Sequence, residues 1–307
     1  MKTLPELILL VSLATLPLVS CVRSEAQCVS DAGVTLQVLG SGGPIADDAR
    51  ASSSYILWVD GDSRVLIDAG GGSFLRFGEA GANFLELDFV GLSHFHTDHS
   101  ADFPALLKSG SFSGRKRALH VAGPDAGGPF PGLEAWLTSL LDSDAGAYGY
   151  LSGFLDGTGG RPMLVAKEIA DGPSVTVYKD TDTVIEAMHV PHGIVPAVAF
   201  KVSVAGESFV FASDQNGSNA AFAEFAKDAS ILVMHLVVPE DVSGVARRLH
   251  APPGVVGAVA ARSGAEKLVL SHFMARSLKE LDKNAELVRS GYEGEVILAE
   301  DLACVVP

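Results

Sequence analysis

Six consecutive residues, His94-Phe95-His96-Thr97-Asp98-His99, hold three of the nine histidines of this chain together with an aspartate. The apolar run Phe89–Ser93 just before them reads as a β-strand. Alternate side chains of an extended segment share a face, so His94 and His96 can grip one ion. Asp98 and His99 follow where the chain turns into a helix and reach a second ion beside the first. Imidazole and carboxylate donors suit zinc, with manganese or iron as alternatives.

The rest of the sequence alternates strands and helices. Val34–Leu39, Ser54–Val59 and Arg64–Asp68 are short β-rich runs, with Asp60-Gly61-Asp62 a hairpin signal between the last two. Phe74–Gly81 and His99–Ser109 read as helices and Arg117–Val121 as extended. Ser174–Tyr178, Val184–His189, Ala197–Val204, Ser208–Ala212, Ser230–His235, Lys267–Ser271, Val296–Leu298 and Leu302–Val305 are further strand runs. Helices are expected at Leu133–Leu141, Ala220–Lys227, Pro253–Ser263 and Ser277–Arg289. No linker divides the halves, so the pattern predicts one α/β domain over residues 33–307, built as four αββα layers, with a Gly-rich insertion at about 123–165. Phe130, Trp136, Tyr148, Tyr150 and Phe154 make that insertion either a wall over a small-molecule pocket or a packed addition to the core.

His-x-His-x-Asp-His resembles the signature of the metallo-β-lactamase superfamily, and its surroundings are similar to the ribonuclease Z-like branch. Leu39-Gly40-Ser41-Gly42-Gly43-Pro44 resembles that branch's opening turn, and Leu66-Ile67-Asp68-Ala69-Gly70-Gly71-Gly72 its second-strand motif. The resemblance implies that Asp68 supports the metal-binding loop without being a ligand. It places a third histidine in Val190-Pro191-His192-Gly193-Ile194-Val195-Pro196, with His192 favoured and His189 the alternative. It implies a bridging carboxylate at Asp214, after the run Phe211-Ala212-Ser213, and a last ligand at His272, after Leu268–Ser271. The implied centre holds two divalent ions, one on His94, His96 and His192, the other on Asp98, His99 and His272, with Asp214 shared.

Paired ions hold a bridging hydroxide at neutral pH, which Asp98 can orient, and their in-line geometry suits phosphodiesters. The expected function is therefore a binuclear metal-dependent hydrolase, a phosphodiesterase acting on a small ester. Arylsulfatase or lactonase/β-lactamase-type chemistry on the same site is the alternative, and a non-catalytic metal-binding envelope protein the second. The resemblance breaks at one place. Where ribonuclease Z has His-Glu-Ala-Thr, this chain has His235-Leu236-Val237, so the glutamate is missing, while His250 stands where the branch supplies its second protonating group. His250 is thus a candidate general acid or a helix-flanking surface residue, and His235 and His120 read as structural. Related proteins often dimerise, so a homodimer is an option.

Residues Leu7–Val19 form an apolar run of signal-peptide length, and Leu18-Val19-Ser20-Cys21 resembles the lipobox of bacterial lipoproteins. The expected organisation is a signal peptide over 1–20, a tether over 21–32 and an exported, periplasmic domain anchored by lipid at Cys21. Cleavage near Ala26, releasing a soluble protein, is the alternative. Export allows Cys28 and Cys304 to pair. The balance of 22 basic against 37 acidic residues gives a net charge of −15, with Arg115-Lys116-Arg117 the only basic cluster. That charge argues against general nucleic-acid binding; the aromatic insertion and export point to a small-molecule ester as partner, with membrane contact by a lipid anchor only if the lipobox is used.

Overall fold

Neighbouring residues in the opening strands go to opposite sides of a buried sheet, and this alternation builds the layers. In the computed structural model, which describes Cys28 and residues 33–307, strand β1 spans Val34–Gly40, β2 Ser54–Val59, β3 Asp62–Ile67 and β4 Phe89–Gly91. Leu36, Val38, Tyr55, Leu57, Val65, Ile67 and Phe89 enter one core, whereas Leu39, Ile56, Trp58, Leu66 and Val90 enter another. The Asp60-Gly61 turn between β2 and β3 has positive φ at both residues, 53° and 87°, as a tight hairpin requires. The signal peptide, the lipidation site Cys21 and all of the tether except Cys28 lie outside the described residues.

The first sheet is completed by β5 (Leu119–Pro124) and β6 (Leu164–Ile169). The second contains β7 (Val175–Lys179), β8 (Thr183–His192), β9 (Val195–Val204), β10 (Glu207–Phe211), β11 (Ile231–His235), β12 (Lys267–Ser271) and β13 (Glu295–Leu298). A last strand, β14 (Cys304–Val305), returns to the first sheet, giving the orders β14-β1-β2-β3-β4-β5-β6 and β13-β12-β11-β10-β9-β8-β7. The core between the sheets joins Phe89 to Phe200, ring centroids 5.9 Å apart, and continues under the helices of the second sheet through Phe222, Val256, Val259 and Val288. The other core lies outside the first sheet, where Phe77, Phe103, Leu106 and Leu107 cover it. Four layers, αββα, follow.

The insertion joins this outer core. Leu133 and Leu137 of the helix Leu133–Leu141, with Leu151 and Phe154, are buried there, and Trp136 stacks on Phe95 at 4.8 Å. It is a packed addition, though Phe130 stands edge-on to the His96 ring at 6.0 Å. The helix expected over His99–Ser109 is two, Thr97–Ser100 and Phe103–Gly110, because Pro104 lacks the N–H to continue a helix but suits the start of one. The expected helix Ser277–Arg289 is also broken, into Ala275–Leu278 and Leu281–Gly291, and the buried Asn284 amide donates to the freed Ser277 carbonyl at 3.1 Å.

Cys28 and Cys304 form a disulfide, their Cα atoms 5.8 Å apart, closing a loop of 276 residues. The basic cluster is not a surface stripe. Arg115 is only 1% exposed and donates to the carbonyls of Leu85, Arg117 and Ala118, while Arg117 pairs with Asp88.

Candidate metal centre

Ends of strands from both sheets meet at one edge. Ser93 and the histidine run follow β4, Asp68 follows β3, His192 ends β8, Asp214 lies just beyond β10, His235 ends β11 and His272 follows β12. Where the sheets touch, the Val198 N–H of β9 donates to the Ser93 carbonyl at 2.9 Å. The turn Gly193-Ile194, with Gly193 at φ 65°, closes the β8–β9 hairpin on a His192–Val195 pair and delivers His192 to this edge. His189 is three residues earlier, so the strand's alternation points it to the other face, where its nearest acid is Asp171 at 4.0 Å.

Each group takes donors from both sheets. One ring nitrogen each of His94, His96 and His192 lie within 4.8 Å of one another, as do the donor atoms of Asp98, His99 and His272. Asp214 stands between: its Oδ2 is 3.6 Å from His192 Nε2, 3.7 Å from His99 Nε2 and 4.0 Å from His94 Nε2, and its Oδ1 is 3.5 Å from His272 Nε2. Asp68 belongs to no such group. It accepts from the Ser93 N–H at 2.7 Å, Ser93 Oγ at 2.9 Å and His99 Nδ1 at 2.7 Å, and so fixes the loop and turns His99 Nε2 inward. His192 Nδ1 likewise donates to the Leu249 carbonyl at 2.9 Å, leaving Nε2 buried with no hydrogen-bond partner among the described residues.

The backbone is bent to make this possible. Asp68, Ser213 and His272 have φ of 60°, 58° and 57°, in the left-handed region that non-glycine residues seldom occupy, and such strain collects at functional sites. Close approach is demanded of Gly43 too, because a Cβ there would come within 2.9 Å of His272 Cε1.

The electrostatics ask for cations. Burial raises Asp98 and Asp214, yet the surrounding imidazoles more than reverse it: Asp98 falls to about 2 and Asp214 goes well below the usual range. Burial depresses His94 and His96 and keeps both neutral, as ligands must be. Burial also opposes charge on His99, but Asp68 and Asp98 lift that ring to about 9. Buried carboxylates with neutral imidazoles, and the unpartnered His192 Nε2, fit divalent metal ions of the zinc type.

Two more histidines complete the site. His250, a candidate from the sequence, lines the cavity with Nδ1 3.8 Å from Asp214 Oδ1. Burial outweighs the pull of Asp214 and lowers its ring to about 3, so it is neutral at pH 7. His235, read from the sequence as structural, donates from Nδ1 to Asp214 Oδ1 at 2.6 Å, and the Tyr55 hydroxyl lies 3.3 Å from its Nε2. Its signal was its place at a strand end between those leading to Asp214 and His272. His120 packs on Tyr178, ring centroids 5.0 Å apart, and belongs to none of the donor groups. Around the donors lies a cavity of about 520 Å³, walled by Pro44, Phe95, Leu249 and Met274 and carrying Arg276.

Fold and site together define a metallo-β-lactamase-fold hydrolase. The chain belongs to this superfamily: the profile of the Beta-lactamase superfamily domain matches residues 63–273. Within it the chain falls in the ribonuclease Z-like branch. It is 26% identical over 303 residues to ribonuclease Z of Thermobifida fusca (strain YX), covering 87% of this chain and 92% of the relative. Among solved structures, the metallo-β-lactamase fold protein YhfI from Bacillus subtilis superimposes with a TM-score of 0.69 at 19% identity, over 89% of this chain and 98% of that one. Human tRNase Z, short form, gives 0.68 at 20% identity with the same coverage.

These relatives overturn one expectation, the exclusion of nucleic acid from the partners. Net charge sums the whole surface, whereas a polyanion is met locally, so an overall charge of −15 does not exclude a nucleic-acid substrate of the kind these relatives' names carry.

Proposed function

We propose that the protein is a binuclear metal-dependent phosphodiesterase. The observation that carries this reading is the meeting of two donor triads, His94/His96/His192 and Asp98/His99/His272, on either side of Asp214 in one cavity. The triads would hold one divalent ion each, zinc by donor type, with Asp214 shared. Such a pair would supply Lewis acidity, lowering the pKa of water toward ~7 and offsetting charge on the attacking and leaving oxygens.

The chain's own residues then divide the work. Asp98, ionised at neutral pH and facing the cavity, accepts a hydrogen bond from the attacking water and orients it. Arg276, whose Nε donates to the Val237 carbonyl at 3.0 Å, adds a fixed positive charge for the diester's anionic oxygens. His250 sits on the cavity wall where a leaving oxygen can receive a hydrogen bond, and an anionic substrate beside it favours its protonated form. Leu236, fully buried in the core, supplies no acid to assist it. The apolar walls favour a diester with an apolar leaving group, so a small ester is the preferred substrate within this class. The Cys28–Cys304 disulfide supports the export expected from residues 1–20, since such bonds persist in oxidising compartments.

The test is turnover of bis(p-nitrophenyl) phosphate by the zinc-loaded chain, run beside an RNA oligonucleotide, an aryl sulfate and a lactone. Asp98→Ala should lower diester turnover by ~10²–10⁴. His250→Ala should slow alkyl diesters far more than nitrophenyl ones. No diester turnover, or an Asp98→Ala protein as fast as the parent, sinks the proposal.

A further inference from the structure

The outer face of the helical layer over the first sheet gathers exposed aromatics and cations in a protein whose net charge is −15. A cavity of about 730 Å³ opens there between the helices Ser73–Glu79 and Phe103–Gly110, lined by Phe74, Leu75, Phe77, Phe84 and Phe112. Leu75 is 64% exposed and Phe112 77%, far beyond what a face closed within the monomer would show. Lys108 Nζ lies 4.7 Å from the Phe112 ring centroid and 5.2 Å from that of Tyr150. Arg161 donates to the Ser111 carbonyl at 2.8 Å and Lys116 to the Gly160 carbonyl at 3.2 Å, so two further cations border the same patch. The acid on its rim, Glu79, is held by Arg76 at 2.7 Å. Scattered exposed apolar residues are ordinary, but an exposed apolar patch with cations on its border marks an interaction surface.

The path of the chain says what it meets. Arg76, on one of the helices that form the cavity, pairs with Asp301 at 3.1 Å, three residues before the Cys304 that holds Cys28. Cys28 is buried in the same outer core as Phe77 and Phe84. Cys21, the lipidation site expected from the sequence, precedes Cys28 by seven residues, which span at most ~25 Å even when extended. An acyl chain on Cys21 would therefore be tied beside this patch. We propose that this face rests on a lipid bilayer with anionic headgroups, Leu75 and Phe112 entering the interface while Lys108, Lys116 and Arg161 meet the headgroup phosphates. Aromatic residues favour that interface and basic residues anionic lipid, so this face and the lipid on Cys21 would contact the same bilayer.

The full chain is mixed with vesicles of phosphatidylglycerol and phosphatidylethanolamine whose acyl chains are brominated, and tryptophan emission is compared with that on unbrominated vesicles. The Phe112→Trp variant should have its added emission roughly halved, whereas Val245→Trp, an exposed position on the helix Gly244–Leu249 whose last residue lines the metal cavity, should show no added quenching. Raising salt to about 0.5 M should weaken binding. A Cys21→Ser chain should bind less tightly, yet show the same quenching of its bound fraction in the Phe112→Trp background. The proposal falls if the chain does not sediment with these vesicles, if Phe112→Trp is unquenched on them, or if Val245→Trp is quenched as strongly. It falls too if the Cys21→Ser chain binds without quenching at position 112.

Discussion

His235 Nδ1 donates to Asp214 Oδ1 at 2.6 Å, so the carboxylate between the two donor triads is held from behind by a histidine from the neighbouring strand. Groups that orient a metal ligand typically contribute 10–100-fold to metal affinity. His235→Ala should therefore weaken zinc binding by about that factor while leaving the fold intact. Competition with a chromophoric chelator measures it, and affinity equal to the parent's would show that Asp214 needs no such support.

Gly43 offers a one-methyl test of the second triad. A Cβ there would lie 2.9 Å from His272 Cε1 and 3.1 Å from Met274 Cγ, so Gly43→Ala must displace the ring or the loop. The expected outcome is loss of one ion of two by elemental analysis, with His94, His96 and His192 still loaded. Two ions per chain at parental affinity would contradict it.

Removing metal should abolish hydrolysis and also lower stability, because an ion held by donors that only the folded chain brings together stabilises that chain. Saturating zinc at about 100 times its Kd should restore ~2.7 kcal/mol of stability. Thermal unfolding of chelator-treated and reloaded protein reads this, and identical melting curves would argue against an ion at the site.

The Cys28–Cys304 bridge closes nearly the whole chain, and a loop of this size is stabilised by at most about 5–6 kcal/mol in the chain-entropy model, of which real bridges often deliver less. Cys28→Ser should lower the Tm by about 5–15 °C and leave hydrolysis at room temperature unchanged. A Tm indifferent to this substitution would mean that the bridge adds nothing.

Tyr55 makes the alkaline limb informative. Burial pushes its hydroxyl above the ordinary value near 10, against the Ser271 and Ser53 hydrogen bonds. A raised folded pKa gives stability that is fully present below the unfolded value and lost as pH rises, because only the unfolded chain readily releases the proton. Above pH ~10 the parent should lose ~1.4 kcal/mol per pH unit more steeply than Tyr55→Phe. Chemical denaturation of metal-free protein across that range shows it, and parallel slopes would refute it.

The sequence reading went furthest where chemistry and strand ends coincide. His94, His96, Asp98 and His99 declare themselves by spacing. His192, Asp214 and His272 follow from apolar runs that stop on a ligand type in family order, and the structure brings all of them together. Alternation along β8 puts His192 and His189 on opposite faces, and His192 is the one grouped with His94 and His96. His235 was misjudged because its partner is set by parallel strand adjacency, which no local spacing encodes. β6 escaped because it is an edge strand whose Lys167 and Glu168 dilute the apolar pattern. Arg115 looked like surface charge because sequence does not reveal the ring of carbonyls that buries it.

Each triad draws members from both halves of the polypeptide: His94 and His96 wait for His192, and Asp98 and His99 for His272. A chain released by the ribosome before residue 272 would own no complete second nest, and one ending before 192 would own neither. A copy ending before residue 272 would thus lack the full donor set, whatever else of it folds.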